Sequence, residues 1–105
     1  MKFIIKHETK GRMRIHLDQN HMTCRQADIL QYYLEKVKNV SRVRVYEYTC
    51  DAAIYFTGAP ETVIGAVKAF RYESAQVPEN VIENSGRALT HQFKEQLTMK
   101  VLFHF

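Results

Sequence analysis

GRMRIHLDQNHMTCRQA, residues Gly11 to Ala27, decides how the rest of the chain is read. In its first part Met13, Ile15 and Leu17 alternate with Arg12, Arg14 and His16, the pattern of a strand with one buried and one solvated face. Its last part opens a helix: Ala27, Leu30, Leu34 and Val37 recur at helical spacing from Cys24 to about Lys38, and Thr23 is suited to cap it. Cys24 therefore stands where a strand passes into a helix. A thiolate at such a junction gains from the free N–H groups and the positive end of the helix dipole.

Working outward, Lys2 to Lys6 reads as a strand and Glu8 to Gly11 as the turn of a hairpin. Downstream, Asn39 ends the helix and Arg42 to Tyr48 alternates again, with Val43 and Val45 on one side. Thr49, Cys50 and Asp51 form a tight connection to Ala52–Thr57, where Ile54 and Phe56 face inward. Pro60 suits the first turn of a second helix that runs to about Tyr72, its stripe made of Val63, Ala66, Val67 and Phe70. Strand, strand, helix, strand, strand, helix is the order of an α+β sandwich with an antiparallel sheet and two helices on one face.

Residues 74–84 are polar and hold Pro78, which restricts Val77 to extended geometry, so they read as a connector. Beyond it Ser85 can cap a third helix, in which Leu89, Phe93, Leu97 and Val101 repeat every four positions. The expected division is a domain over 1–73, a connector over 74–84 and a C-terminal helix over 85–105. The last apolar residues, VLFHF, suggest a chain leading towards a membrane region, and an exposed apolar helix of this kind favours a homodimer.

Composition narrows the partners. With 105 residues the chain fits one domain, and 46% hydrophobic with 25% charged residues is ordinary for a globular protein. The net charge of +4 suggests polyanions, yet the basic residues are dispersed along the chain and often sit beside acids, which argues against a nucleic-acid stripe. Two cysteines make no disulfide framework, MKFIIKHE lacks the core of a signal peptide, and no run reaches the ~18 apolar residues of a membrane span. A reducing cytoplasmic setting is the expectation.

With the elements placed, the βαββα order and the loop HMTCRQA resemble the heavy-metal-associated domain of metallochaperones and heavy-metal P-type ATPases. The family's loop is Gly-Met-x-Cys-x-x-Cys. Met22, Thr23 and Cys24 match its Met-x-Cys, whereas His21 stands for the glycine and Ala27 for the second cysteine, which removes half the dithiolate. GRMRIHL, the Asn39-Val40 turn and the late ENSGRALTHQFKEQ make most of the chain similar to the divergent domain at the N-terminus of certain bacterial heavy-metal-transporting P-type ATPases. The resemblance implies a ferredoxin-like fold and a regulatory or metal-sensing domain on the cytoplasmic side of the plasma membrane. Its partner would be the remainder of the transporter. It implies no ATP hydrolysis by this chain, because the phosphorylated motif Asp-Lys-Thr-Gly-Thr and the membrane Cys-Pro-Cys are absent. Lys2 to Lys6, paired antiparallel to Arg12–Leu17, would then fill the edge that this fold usually gives to its last strand.

The topology puts the strand-to-helix loop and the following hairpin turn at one end of the sheet, so Cys24, Cys50 and His21 form the candidate metal set. Two thiolates and an imidazole suit Cu(I) or Zn(II). The plainer reading is that both cysteines are packed thiols, since a Cys-x-x-Cys pair is missing. His7 should be remote, and His16, His91 and His104 have no ligand partner at helical spacing. The tyrosines Tyr46, Tyr48 and Tyr55, with Arg42 and Arg44, partly fit the stacking face of an RNA-binding sheet. The alternative function is therefore a protein- or RNA-interaction module without metal. No small-molecule substrate or catalytic constellation is read from the sequence.

Overall fold

The structure, a computed structural model, describes residues 1–83, 86 and 87. Its elements are β1 (Phe3–Thr9), β2 (Arg12–Leu17), α1 (Cys24–Glu35), β3 (Val40–Tyr46), β4 (Asp51–Phe56), α2 (Pro60–Ala69) and the short α3 (Glu79–Glu83). All strand pairs are antiparallel, and the order across the sheet is β1-β2-β4-β3. The protein is thus a small α+β sandwich with a four-stranded open sheet, an arrangement compatible with the ferredoxin-like expectation. β1 occupies the edge beside β2.

Alternation does the sorting. Met13, Ile15 and Leu17 from β2, Val43 and Val45 from β3, and Ala52, Ile54 and Phe56 from β4 all lie in one core. They meet Ala27, Leu30 and Leu34 of α1 and Val63, Val67 and Phe70 at the second helix. Fully burying each large side chain contributes about 1.5–3 kcal/mol, so this single layer dominates the stability. Both helices cover the same face of the sheet.

The ends of the elements are set by local chemistry. The hairpin between β1 and β2 closes on Lys10-Gly11, where Gly11 has φ +84°. A Cβ there would come within 3.3 Å of the Phe56 carbonyl, so both the backbone angle and the close approach favour glycine. At α1, Thr23 Oγ1 accepts from Gln26 N and the Gln26 side chain accepts from Thr23 N, a reciprocal capping box. Pro60 begins α2 as the sequence predicts.

Several boundaries differ from the sequence reading. β1 extends to Thr9, so His7 is a strand residue paired with Arg14 rather than part of a turn. A bulge between Ile5 and His7 shifts the register at Lys6, a feature that an alternating pattern does not show. β3 ends at Tyr46, and the loop to β4 is Glu47–Cys50, built on a turn in which Thr49 N donates to Tyr46 O. Tyr48 is therefore a loop residue, 88% exposed. α1 stops at Glu35 because the next amides, Lys36 and Val37, bond back three residues, and Asn39 then takes φ 69°.

The stretch read as a connector contains α3, whose Ile82 is buried. Arg25 of α1 pairs with Glu79 through two bonds of 2.6 and 3.0 Å. Of the helix expected over 85–103 only Gly86 and Arg87 are described, both helical; the rest of it, and a dimer made through it, lie outside the described residues. No described helix is long and apolar enough to cross a membrane.

Candidate functional site

Three places hold chemistry: the end of the sheet carrying both cysteines, a buried carboxylate on the open face, and a second acidic cluster at the β3 edge.

At the cysteine end, the β2 exit and the β3–β4 loop are tied together, since Leu17 N donates to Cys50 O at 2.9 Å. Cys24 is half-buried in the first turn of α1 and lines a groove with Glu47, Tyr48 and Thr49 of that loop. Met22 is buried in the core, so it anchors the loop by packing. His21 is exposed, and its carbonyl accepts from Gln19 Nε2 at 2.9 Å. Gln19 in turn accepts from Tyr72 Oη at 2.7 Å. Burial pushes the Tyr72 hydroxyl up to about 12, and this outweighs the hydrogen bond to Gln19, so the phenol stays protonated and keeps the loop pinned.

Cys50 is nearly fully buried and adopts φ 59°, a left-handed conformation uncommon for a residue with a Cβ. Burial, with the neighbouring Asp51 charge adding to it, pushes the Cys50 thiol up. A metal would have to displace that proton before the sulfur became a good ligand. Among the described residues, no group of three or more His, Cys, Asp or Glu side chains is arranged to hold a metal ion. The residues expected as ligands thus share one end of the sheet without making a ready cage.

The open face is organised around Asp51. Its carboxylate is 1% exposed, yet it accepts from His16 Nδ1 at 2.7 Å, from Arg14 Nε and Nη2 at 3.3 and 3.1 Å, and from Lys6 Nζ at 3.3 Å. Burial alone would raise the carboxyl; the hydrogen bonds from His16, Arg14 and Lys6 together outweigh it and hold the group below the usual carboxylate range. The register explains the assembly, for Arg14 and His16 lie opposite Ala53 and Asp51 on β4, and the bulge brings Lys6 over from β1.

Two rings complete that face. Arg12 and Arg42, both paired in register with Tyr55, have their guanidinium carbons 5.6 and 5.7 Å from its ring centroid. Arg14 and Arg44 lie 4.9 and 5.3 Å from the centroid of Tyr46. Basic residues dispersed in sequence thus converge on one surface.

Sequence reasoning missed Arg87. Its guanidinium donates to Asp28 Oδ1 at 2.8 Å, Glu47 Oε2 at 3.1 Å and Gln31 Oε1 at 2.8 Å, and also to the Val45 carbonyl on edge strand β3. The signal was Asp28, an acid beside Ala27 on the buried side of α1 and only 5% exposed, because a buried charge calls for a counter-charge. Comparison with protein-family models, curated proteins and solved structures finds no match to this chain.

Proposed function

We propose that the chain is a regulatory domain of ferredoxin-like architecture from the cytoplasmic N-terminus of a heavy-metal cation-transporting P-type ATPase. In this reading it has kept the frame of a heavy-metal-associated domain and lost the dithiolate. The observation that carries the reading is the junction of β2 and α1, where Met22 is buried, Thr23 caps the helix and Cys24 begins it. That is the local design which the Met-x-Cys resemblance calls for. The protonated, buried Cys50 and the exposed His21 favour regulation through contacts with the rest of the transporter over metal carriage.

Two experiments test it. Titrating the reduced protein with Cu(I) or Zn(II) against a competing chelator should give weak affinity, with little change in Cys24→Ser. Tight stoichiometric binding abolished by that substitution would convert the reading to metal sensing. The parent is tested by the native reading frame, which should continue into membrane helices and an Asp-Lys-Thr-Gly-Thr motif; a gene lacking both would sink the transporter assignment. A second reading, an interaction module without a transporter, is favoured by the basic, tyrosine-bearing open face.

A further inference from the structure

We propose that the open face of the sheet binds single-stranded nucleic acid. The inference rests on that face alone and goes beyond the transporter reading, so either can fail without the other.

The face carries two columns of guanidinium groups, Arg12 and Arg14 on β2 and Arg42 and Arg44 on β3, separated by β4. Strand geometry sets the columns about 10 Å apart and the members of each about 7 Å apart. Lys6 adds a fifth fixed cation, and Asp51 neutralises part of the β2 side through Lys6 and Arg14. On the β3 side, neither Arg42 nor Arg44 forms an ion pair among the described residues. Both are exposed.

The strip between the columns is closed over by the arginines and by the rings of Tyr55 and Tyr46. Tyr55 lies between Arg12 and Arg42, the buried Ala53 between Arg14 and Arg44, and the buried Asp51 between His16 and Tyr46. Contact with the tyrosine rings steadies the guanidinium groups through their planes, and their N–H edges stay suited to bidentate contact with phosphate oxygens. A strand whose phosphates follow one column brings its bases over Tyr55 and over the guanidinium groups and Tyr46 ring that cover the buried Ala53, where stacking on phenol and guanidinium planes is available.

The alternatives fit less well. A duplex is read by an element that enters its groove; this sheet is about 14 Å across its backbones, wider than the ~12 Å major groove. An anionic lipid surface calls for apolar anchors, and among the described residues the one large exposed apolar side chain on this face is Ile4, at the rim opposite His16. An acidic peptide answers the arginines but brings nothing flat to the aromatic strip. The chain's own residues 88–105 carry Lys94 and Lys100 against Glu95, so their charge does not complement the face.

The test is fluorescence anisotropy of a labelled 12-nucleotide single-stranded RNA with the whole chain, repeated over a salt series. Neutralising about four phosphates predicts a slope of log K against log salt near −3, from roughly 0.7 per phosphate. Arg42→Glu with Arg44→Glu should weaken binding by at least about tenfold and halve the slope. Tyr55→Leu should weaken it by about tenfold without changing the slope, as stacking without charge requires. The charge-matched control, Lys38→Glu with Lys68→Glu on exposed positions off the sheet, should change affinity far less, and circular dichroism checks that each variant folds. The proposal is overturned by absent binding at low salt, by equal losses in the two double variants, or by tighter binding of poly-glutamate or phosphatidylserine vesicles than of RNA.

Discussion

Asp51 and Asp28 are both buried acids, and the protein satisfies them in opposite ways. Asp51 sits on the open face with three basic partners, Lys6, Arg14 and His16, drawn from β1 and β2. At the β3 edge the ratio is reversed among the described residues: Arg87 serves the carboxylates of Asp28 and Glu47 together with the oxygens of Gln31 and Val45. The first cluster has cations to spare, and its surplus charge belongs to the surface offered to a partner. The second concentrates its bonds on one side chain and fastens the chain beyond α3 to α1 and β3. Redundancy marks the face that can serve a ligand, and concentration marks the joint that holds the fold.

Arg87 is therefore where the comparison is most easily broken. Arg87→Ala should lower stability by about 3 kcal/mol, because removing one partner of a buried ion pair leaves the rest of the cluster desolvated. Urea denaturation read by circular dichroism measures this as a lower midpoint. Arg87→Lys should recover only part of the loss, since a single ammonium cannot reproduce a planar fork spanning four acceptors. A midpoint within error of the wild type would mean that the joint is a surface contact and the contrast with Asp51 is empty.

Asp51→Asn comes next, at about 2 kcal/mol, the usual scale for losing charge-assisted hydrogen bonds at a buried site. Here the damage is repulsion among cations left without their common anion. The pH dependence has a definite sign. Because the folded protein holds this carboxyl below its usual range, the stabilisation is fully present above the unfolded value near ~3.9. It is lost as pH falls through the lower folded value. The stability gap between the wild type and Asp51→Asn should therefore shrink below about pH 4. A gap that widens towards acid would show that the native carboxyl takes up its proton early.

Much of the covered layer was legible in the sequence. Met13, Ile15 and Leu17, or Leu30 and Leu34, announce their faces by spacing, because burial on a single face is a local pattern. The open face was legible only in part: Arg42, Arg44, Tyr46 and Tyr55 could be read as a stacking face, whereas Tyr48 falls in the loop and the β2 arginines were not joined to it. Arg12, Arg14, Arg42 and Arg44 belong to segments far apart in the chain, and only the β2–β4–β3 register sets them on one surface. Lys6 reaches Asp51 through a bulge that alternation cannot reveal. Cys50 could be placed at the correct end of the sheet from topology, but neither its left-handed backbone nor its burial follows from its residue type. Asp28 offered a hint that a cation was needed; its partner lay 59 positions away.

The smallest effect sharpens the comparison most. Lys6 is half-exposed, at 48% of its side chain, and its bond to Asp51 is 3.3 Å long. Lys6→Ala leaves Arg14 and His16 in place on the same carboxylate, and a solvent-exposed ion pair contributes little once ordering a long side chain is counted. The expected loss is at most about 0.5 kcal/mol, read from the same urea midpoints. If Lys6→Ala instead costs as much as Asp51→Asn, the three partners of Asp51 act as one cooperative unit, and the open face is as finely balanced as the Arg87 joint. A loss near zero says that Lys6 is there for its charge. In that case its contribution should appear in the salt dependence of ligand binding and not in the stability of the fold.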